Sequence, residues 1–452
     1  MDLKDKRITI IGLGLSGTSA AILANYLGAV VFVSESGISQ SIHKNAYMLM
    51  SKHHISSETG IHSKKIYNAD LWVISPGLSK NSDLVKAAKL KKIKTISEIE
   101  FACLYTSNPI IAVTGSNGKT TTCNILYSML IGSKLNPILC GNLGVPFSET
   151  VLENIKKPSD NVLFILEVSS FQLEKTYNFK PKYAIYTNIS SDHLDRHGTV
   201  SEYVKMKMKL IENMSKDDYV VYNQDDKILE QSFKNKPVKK IPYSLKKKSK
   251  YFSIKNEYIV NQHNHKITSI YNLSLPGNHN ILNFLAAATL SKLINIKEEK
   301  ILETLTNFKG LEHRLEHVLT HNKITYINDS KATNIDSVII ALQSFTNPIL
   351  LLLGGQNKQS DFRLLLPHFK TNKVKLVITY GESGGHIKTV LGDAVRSQLE
   401  KDLNSAVRKA HNLAAAGDTI LLSPGCASFD EFKNFEERGR IFKSYVKDIN
   451  LL

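Results

Sequence analysis

Ile110-Ile111-Ala112-Val113-Thr114-Gly115-Ser116-Asn117-Gly118-Lys119-Thr120-Thr121 runs from an apolar, β-branched strand through a glycine-bearing loop into a helical segment. Such a turn delivers backbone N–H groups and a helix N-terminus to an anion. Lys119 can neutralise β- and γ-phosphate oxygens, and Thr120 can offer its hydroxyl to Mg²⁺. Val113 stands where the G-x-x-x-x-G-K-[ST] pattern has its first glycine, so the full pattern is not met. The strand–loop–helix context still predicts a nucleoside triphosphate site rather than a surface lysine after a Gly/Asn turn.

Outward from this loop, the middle block continues through the strand-like runs NVLFILEVSS, KYAIYTNIS and DYVVYNQDD. An Asn- and Lys-rich stretch from about 235 to 272 reads as an antiparallel edge, and NHNILNFLAAATLSKL reads as a helix. Before the block, RITIIGLG, AVVFVSES, ADLWVISPG and KTISE alternate with helical segments; after it come KITYINDS, NPILLLLGG, VKLVITYGE and DTILLSPG. Alternation of this kind predicts parallel α/β units. The expected architecture is α/β in three domains: an N-terminal Rossmann-like domain at 1–106, a central P-loop-type ATPase domain at 107–310 and a C-terminal Rossmann-like domain at 311–452.

Three features of the middle block suggest chemistry. Glu167 ends an otherwise apolar strand, where an unpaired carboxylate is costly and a metal or cation is the expected partner. Asp192, His193 and Asp195 follow another strand end on a loop; taken alone His193 reads as a loop or structural histidine, but together with Glu167 and the phosphate loop a Mg²⁺ site is expected. In SEYVKMKMKLIENM, Tyr203, Met206, Leu210, Ile211 and Met214 form one helical stripe; Lys207 falls inside it, while Lys205 and Lys209 point the opposite way. Burial favours a neutral amine, able to take up carbon dioxide as a carbamate and become an anionic metal ligand. The alternative is a lysine that snorkels past its apolar stem to an acid.

In the first domain, Gly12-x-Gly14-x-x-Gly17 follows the first strand and Glu35 closes the second, satisfying the dinucleotide fingerprint with its acidic residue. With a separate triphosphate loop downstream, this reads as a site for a nucleotide-diphosphate carrier rather than for NAD. The 452 residues carry a formal charge of +17, nearly all of it from lysine, with Arg sparse and no nucleic-acid signature alongside. The basic clusters, KKKSK at 246–250 among them, read as solvated surface, with attraction of anionic substrates second. Four scattered cysteines suit a reducing compartment, no apolar run approaches the roughly 18 residues of a membrane span, and no signal peptide is visible. A cytoplasmic protein is expected.

The pieces TGSNGKTT, LEVSSFQLE, TNISSDHLDRHG, LPGNHNILNFLAA and NDSKATN resemble the Mur ligase family along essentially the whole chain. SPGCASFDEFKNFEERG, with NDSKATN and GLGLSG, is similar to its D-glutamate-adding branch. The resemblance implies ATP-dependent ligation of D-glutamate to UDP-N-acetylmuramoyl-L-alanine by a monomer. It implies that Gly115, Ser116, Asn117, Gly118, Lys119, Thr120 and Thr121 hold ATP, with Asn283 at the adenine and Arg314 and Asp329 reaching the nucleotide from the third domain. Lys119, His193 and Lys207 would be catalytic. Thr120, Glu167, His193 and a carbamylated Lys207 would organise two Mg²⁺ ions. D-glutamate would meet Lys331, Thr333, Lys358, Ser428, Phe429 and Phe435, and the UDP-linked substrate would meet Leu15, Ser36, Gly77, Asn142 and His193. Rival readings are a related ligase for another amino acid, a folate-type glutamate ligase, a dehydrogenase, and a basic ATP-regulated binding protein. The folate-type enzyme would not need the first domain, and the binding protein would not need Glu167, His193 and an inward Lys207 together.

Overall fold

The apolar β-branched runs form three predominantly parallel sheets, as the α/β alternation predicts. The computed structural model describes residues 2–450 apart from 79–81, 143, 191–193, 276, 358–359 and 372. The chain divides into two compact units, one of residues 1–272 and 282–306, the other of 273–281 and 307–452.

The first unit holds two parallel sheets. In the N-terminal one the strand order is Ser56–Thr59, Val30–Glu35, Arg7–Ile11, Leu71–Ile74, Lys94–Ser97. The chain builds outward on one side of Arg7–Ile11 and then crosses to the other, so the switch point lies beyond the carboxyl end of that strand, where open α/β sheets bind ligands. Gly12 and the loop at 75–77 flank it. Gly17 is needed there for packing: a Cβ on it would lie 2.0 Å from the Gly12 carbonyl oxygen.

The central sheet runs Lys239–Tyr243, Tyr219–Asn223, Tyr183–Tyr186, Ile110–Thr114, Val162–Glu167, Asn136–Gly141, all parallel. Ile110–Thr114 and Val162–Glu167 are buried at every residue, as expected of strands covered on both faces. Each fully buried aliphatic side chain there contributes about 1.5–3 kcal/mol relative to exposure. One continuous core, from Leu3 and Ile8 through Phe101 and Phe147 to Phe164 and Val220, underlies both sheets of this unit.

The stretch from 235 to 272 departs from the expected antiparallel edge. The helix Lys227–Phe233 acts as a crossover, which brings Lys239–Tyr243 in parallel to the central sheet. Antiparallel pairing is confined to a separate sheet of Phe252–Lys255, Tyr258–Asn261 and Lys266–Ser269.

The second unit has its own sheet in the order Glu316–His321, Ile324–Asn328, Thr419–Gly425, Ile349–Gly354, Val374–Tyr380, Ser397–Leu399. Its first two strands pair antiparallel and the rest parallel. Separate apolar clusters fill its two faces. Among the described residues no helix is long and apolar enough to cross a membrane. No disulfide joins the four cysteines, and burial pushes the Cys103, Cys140 and Cys426 thiols up to about 12.

Candidate active site

The phosphate-type loop leaves the sheet at its switch point, between Val162–Glu167 on one side and Tyr183–Tyr186 on the other. Gly115 has φ +149°, and a Cβ there would lie 1.9 Å from Thr187 Oγ1, so no other residue fits without displacing that wall. The wall itself is built by residues 187 and 188. Asn117 N donates to Asn188 Oδ1 at 2.9 Å, Asn188 Nδ2 donates to Asn117 O at 3.0 Å, and Thr187 Oγ1 donates to the same carbonyl at 2.6 Å. Ser116 Oγ pairs with Tyr203 Oη at 3.0 Å and accepts from Ser190 N at 2.9 Å. Asn283 is buried beside the loop and accepts from Thr122 Oγ1 at 3.3 Å.

Two lysines converge on this loop. Lys119 Nζ donates to the carbonyls of Gly115 and Ser116 at 2.8 Å each. Lys207, only 1% exposed, also donates to Gly115 O at 2.8 Å and sits 4.6 Å over the Tyr203 ring. The sequence stripe therefore aimed the right lysine inward: Tyr203, Met206, Leu210, Ile211 and Met214 are all buried with it. Lys209 points away from the loop, as its place on the helix predicts. The helix Val200–Met208 tightens into a 3₁₀ turn at Lys209–Ile211, and Lys209 Nζ reaches the carbonyls of Glu174 at 3.2 Å and Thr176 at 3.1 Å.

Glu167 ends its strand 3% exposed and accepts from Asn142 Nδ2 at 3.0 Å, while Asn142 N donates to Glu167 O at 2.9 Å. The two side chains read separately from the sequence thus form one unit at the carboxyl ends of neighbouring strands, Asn142 one residue past Asn136–Gly141. Thr120 is half-buried after Lys119; Thr121 is buried, and its hydroxyl has no hydrogen-bond partner among the described residues. A buried carboxylate and threonine hydroxyls are hard oxygen donors, a set that fits Mg²⁺. No cluster of three or more His, Cys, Asp or Glu side chains forms a metal site among the described residues, and His193 lies outside them, as does Lys358.

At the N-terminal switch point, Leu15 opens its helix 70% exposed, and Ser36 and Gly77 are exposed on neighbouring loops. Glu35 does not present the free carboxylate that the dinucleotide fingerprint assigns to a ribose. Its oxygens accept from Leu13 N at 3.0 Å and Gly37 N at 2.8 Å. Burial pushes its pKa up, but these backbone donors prevail and hold it below the ordinary range.

In the second unit, Arg314, Asp329 and Lys331 line one small cavity with His279. Burial raises the Asp329 carboxyl to about 7 against the pull of Arg314, and burial beside Arg314 lowers His279 to about 3. Lys331 Nζ lies 5.7 Å over the Phe435 ring; Thr333 is half-buried, Ser428 is 2% exposed and Phe429 is 59% exposed. Sequence reasoning missed Arg438. Fully buried, it donates to Ser330 Oγ at 3.0 Å and to the carbonyls of Ser330, Cys426 and Ala427 at 2.8, 3.1 and 3.2 Å, tying the loop that carries Asp329 and Lys331 to the one that carries Ser428. An arginine in a chain so rich in lysine was the available signal. Thr187 and Asn188 open the TNISSDHLDRHG piece, but nothing in it marked them as the wall of the loop.

Residues 7–84 match the MurD N-terminal domain, 113–291 the Mur ligase middle domain, and 313–426 the Mur ligase glutamate ligase domain. The UDP-N-acetylmuramoylalanine–D-glutamate ligase of Christiangramia forsetii is 39% identical over 98% of this chain and 100% of that protein. The chain belongs to the Mur ligase family. The same-named protein of Bacteroides thetaiotaomicron is 37% identical over 98% of this chain and all of its own length. Among solved structures, the UDP-N-acetylmuramate–alanine ligase of Thermotoga maritima superposes with TM-score 0.62 at 18% identity, over 98% of this chain and 100% of that one. A MurF ligase of the same organism in complex with ADP gives TM-score 0.60 at 14% identity, over 99% and 96%. These structures share the three-domain α/β fold.

Proposed function

We propose that this Mur ligase joins D-glutamate to UDP-N-acetylmuramoyl-L-alanine through an acyl phosphate, releasing ADP and phosphate, in peptidoglycan precursor synthesis. The convergence of Lys119 and Lys207 on the Gly115 carbonyl, one strand away from Glu167, is the observation that carries it. A lysine cation, a second, buried lysine and a carboxylate gathered around a glycine loop suit phosphoryl transfer, in which positioning and charge stabilisation supply most of the catalysis.

In this reading the loop at 115–121 holds the triphosphate, with Asn283 beside the adenine. Lys119 swings from the loop carbonyls to the β- and γ-phosphates. An oxygen of the alanine carboxylate attacks the γ-phosphorus, the bond to the bridging oxygen breaks, and ADP leaves. The D-glutamate amine then attacks the acyl carbon, and phosphate departs and carries away the amine proton. Lys207 reacts with carbon dioxide, losing a proton, to become a carbamate. Two Mg²⁺ ions, held by Thr120, Glu167, His193 and that carbamate, supply charge neutralisation when bound. Asn142, with Leu15, Ser36, Gly77 and His193, is assigned to the UDP-linked substrate. Arg314 and Asp329 are assigned to the nucleotide, and Lys331, Thr333, Lys358, Ser428, Phe429 and Phe435 to D-glutamate. The domain boundaries at 106 and 310 and a monomeric state belong to the same reading, and use of ATP with a UDP-linked precursor supports a cytoplasmic location.

The test is phosphate release from ATP with UDP-N-acetylmuramoyl-L-alanine and D-glutamate, L-glutamate, meso-diaminopimelate, L-lysine or no amino acid, with mass detection of product. A new amide with D-glutamate alone is expected. An amide formed only with another amine would move the substrate, and ATP binding without turnover would overturn the reading.

A further inference from the structure

One arginine gathers the backbone of the N-terminal switch-point loop onto the phosphate-loop domain. Arg196, on the short helix Leu194–His197, is 14% exposed, and its guanidinium lies 5.0 Å over the Phe171 ring. Its Nε and Nη2 each donate to Glu174 at 3.0 Å, a bidentate pair with a carboxylate only 4% exposed. The remaining N–H groups meet three successive carbonyls: Nη1 donates to Gly77 O at 3.0 Å, and the second Nη2 hydrogen is shared between Pro76 O at 3.1 Å and Leu78 O at 2.9 Å. Glu174 orients the planar fork, and the fork dictates which way three peptide groups face.

That orientation bears on binding. The peptide bonds are trans, so a carbonyl turned toward Arg196 turns the N–H of the same peptide group away. The Leu78 N–H closes a tight turn onto Ser75 O at 3.1 Å, while Ser75 N is anchored to Ile11 O at 2.8 Å. The exposed Gly77 is left with its N–H facing away from the arginine, at the carboxyl end of Leu71–Ile74 beside the glycine loop at 12–17. A backbone N–H so held is a donor for an anionic ligand group.

We propose that Arg196 is a positioning residue for the UDP-linked substrate: held by Glu174, it sets the orientation of the 76–78 backbone and so the Gly77 N–H that meets that substrate. This rests on the assignment of Gly77 to the UDP-linked substrate. Lysine cannot replace it, because a single ammonium on a flexible stem cannot serve a carboxylate and three carbonyls in a fixed plane.

The experiment is steady-state kinetics of Arg196→Lys and Glu174→Gln with each substrate varied in turn, and calorimetric binding of UDP-N-acetylmuramoyl-L-alanine without ATP. In Arg196→Lys the KM and Kd for the UDP-linked substrate rise about tenfold, while kcat and the KM values for ATP and D-glutamate stay within about twofold. Glu174→Gln keeps the shape of the pair, shifts the same two constants less, and decides the matter if Arg196→Lys fails to fold. Unchanged KM and Kd, or a parallel change in kcat and all three KM values, would overturn the positioning role alone. Wild-type enzyme that neither binds nor turns over UDP-N-acetylmuramoyl-L-alanine would sink both this role and the functional reading.

Discussion

Lys207 and Glu98 show how burial makes a charged residue informative. Lys207 is 1% exposed and packs among the apolar residues of its own helix, yet its Nζ lies against the phosphate-type loop. Lys207→Ala should cut turnover by roughly a hundredfold, the scale of losing one charge-stabilising group. Millimolar acetate should restore part of it by occupying the carbamate's place. Full activity in the variant, or a loss that no small carboxylate mends, would return Lys207 to a structural lysine. Glu98 is 2% exposed and accepts from Ser148 N at 2.5 Å; burial raises its carboxyl to about 7. Its folded pKa lies above the unfolded value of about 4.3, so its stabilising contribution is complete below that value and is lost as pH rises toward 7. Wild type should therefore lose up to about 3 kcal/mol from this group between about pH 4.5 and 7, and Glu98→Gln should remove that slope. Urea midpoints of both proteins across this range provide the check; parallel curves would mean that Glu98 is ionised in the native state.

The strand–loop–helix element from Ile110 to Leu130 was legible because each of its determinants is local. A β-branched run makes the strand, glycines permit the turn, and apolar spacing makes the helix. The wall that holds the loop was not legible: Asn188 meets Asn117 from 71 residues away, and no periodicity announces an amide paired to a backbone N–H and C=O. Asn188→Ala removes both bonds and should weaken ATP binding about tenfold, in line with roughly 1–2 kcal/mol for unmaking buried hydrogen bonds. Calorimetric titration with a non-hydrolysable ATP analogue measures this; unchanged affinity would mean that Thr187 suffices as the wall. The fingerprint in the first domain was legible as a loop and misleading as a ligand list, since Glu35 serves the backbone of its own glycine turn.

At the scale of the molecule, the +17 charge should act on rates rather than on fold. All three proposed substrates are anions, so raising KCl from about 20 to about 200 mM should lower kcat/KM for the UDP-linked substrate several-fold and leave kcat nearly unchanged. Salt-independent kcat/KM would show that the lysines are distributed without a net field at the site.

The sequence by itself determined the three α/β series, the phosphate-type loop, the inward face of Lys207 and the family, because hydrophobic period, glycine placement and motif spacing are written in neighbouring residues. Only the tertiary structure decided which polar groups meet. Arg196 reaches Gly77 across 119 residues, and Arg438 joins two loops by way of Ser330 across 108. Such bonds carry no local signature, since their partners become neighbours only when the sheets assemble and burial away from water makes each unpaired donor or acceptor costly.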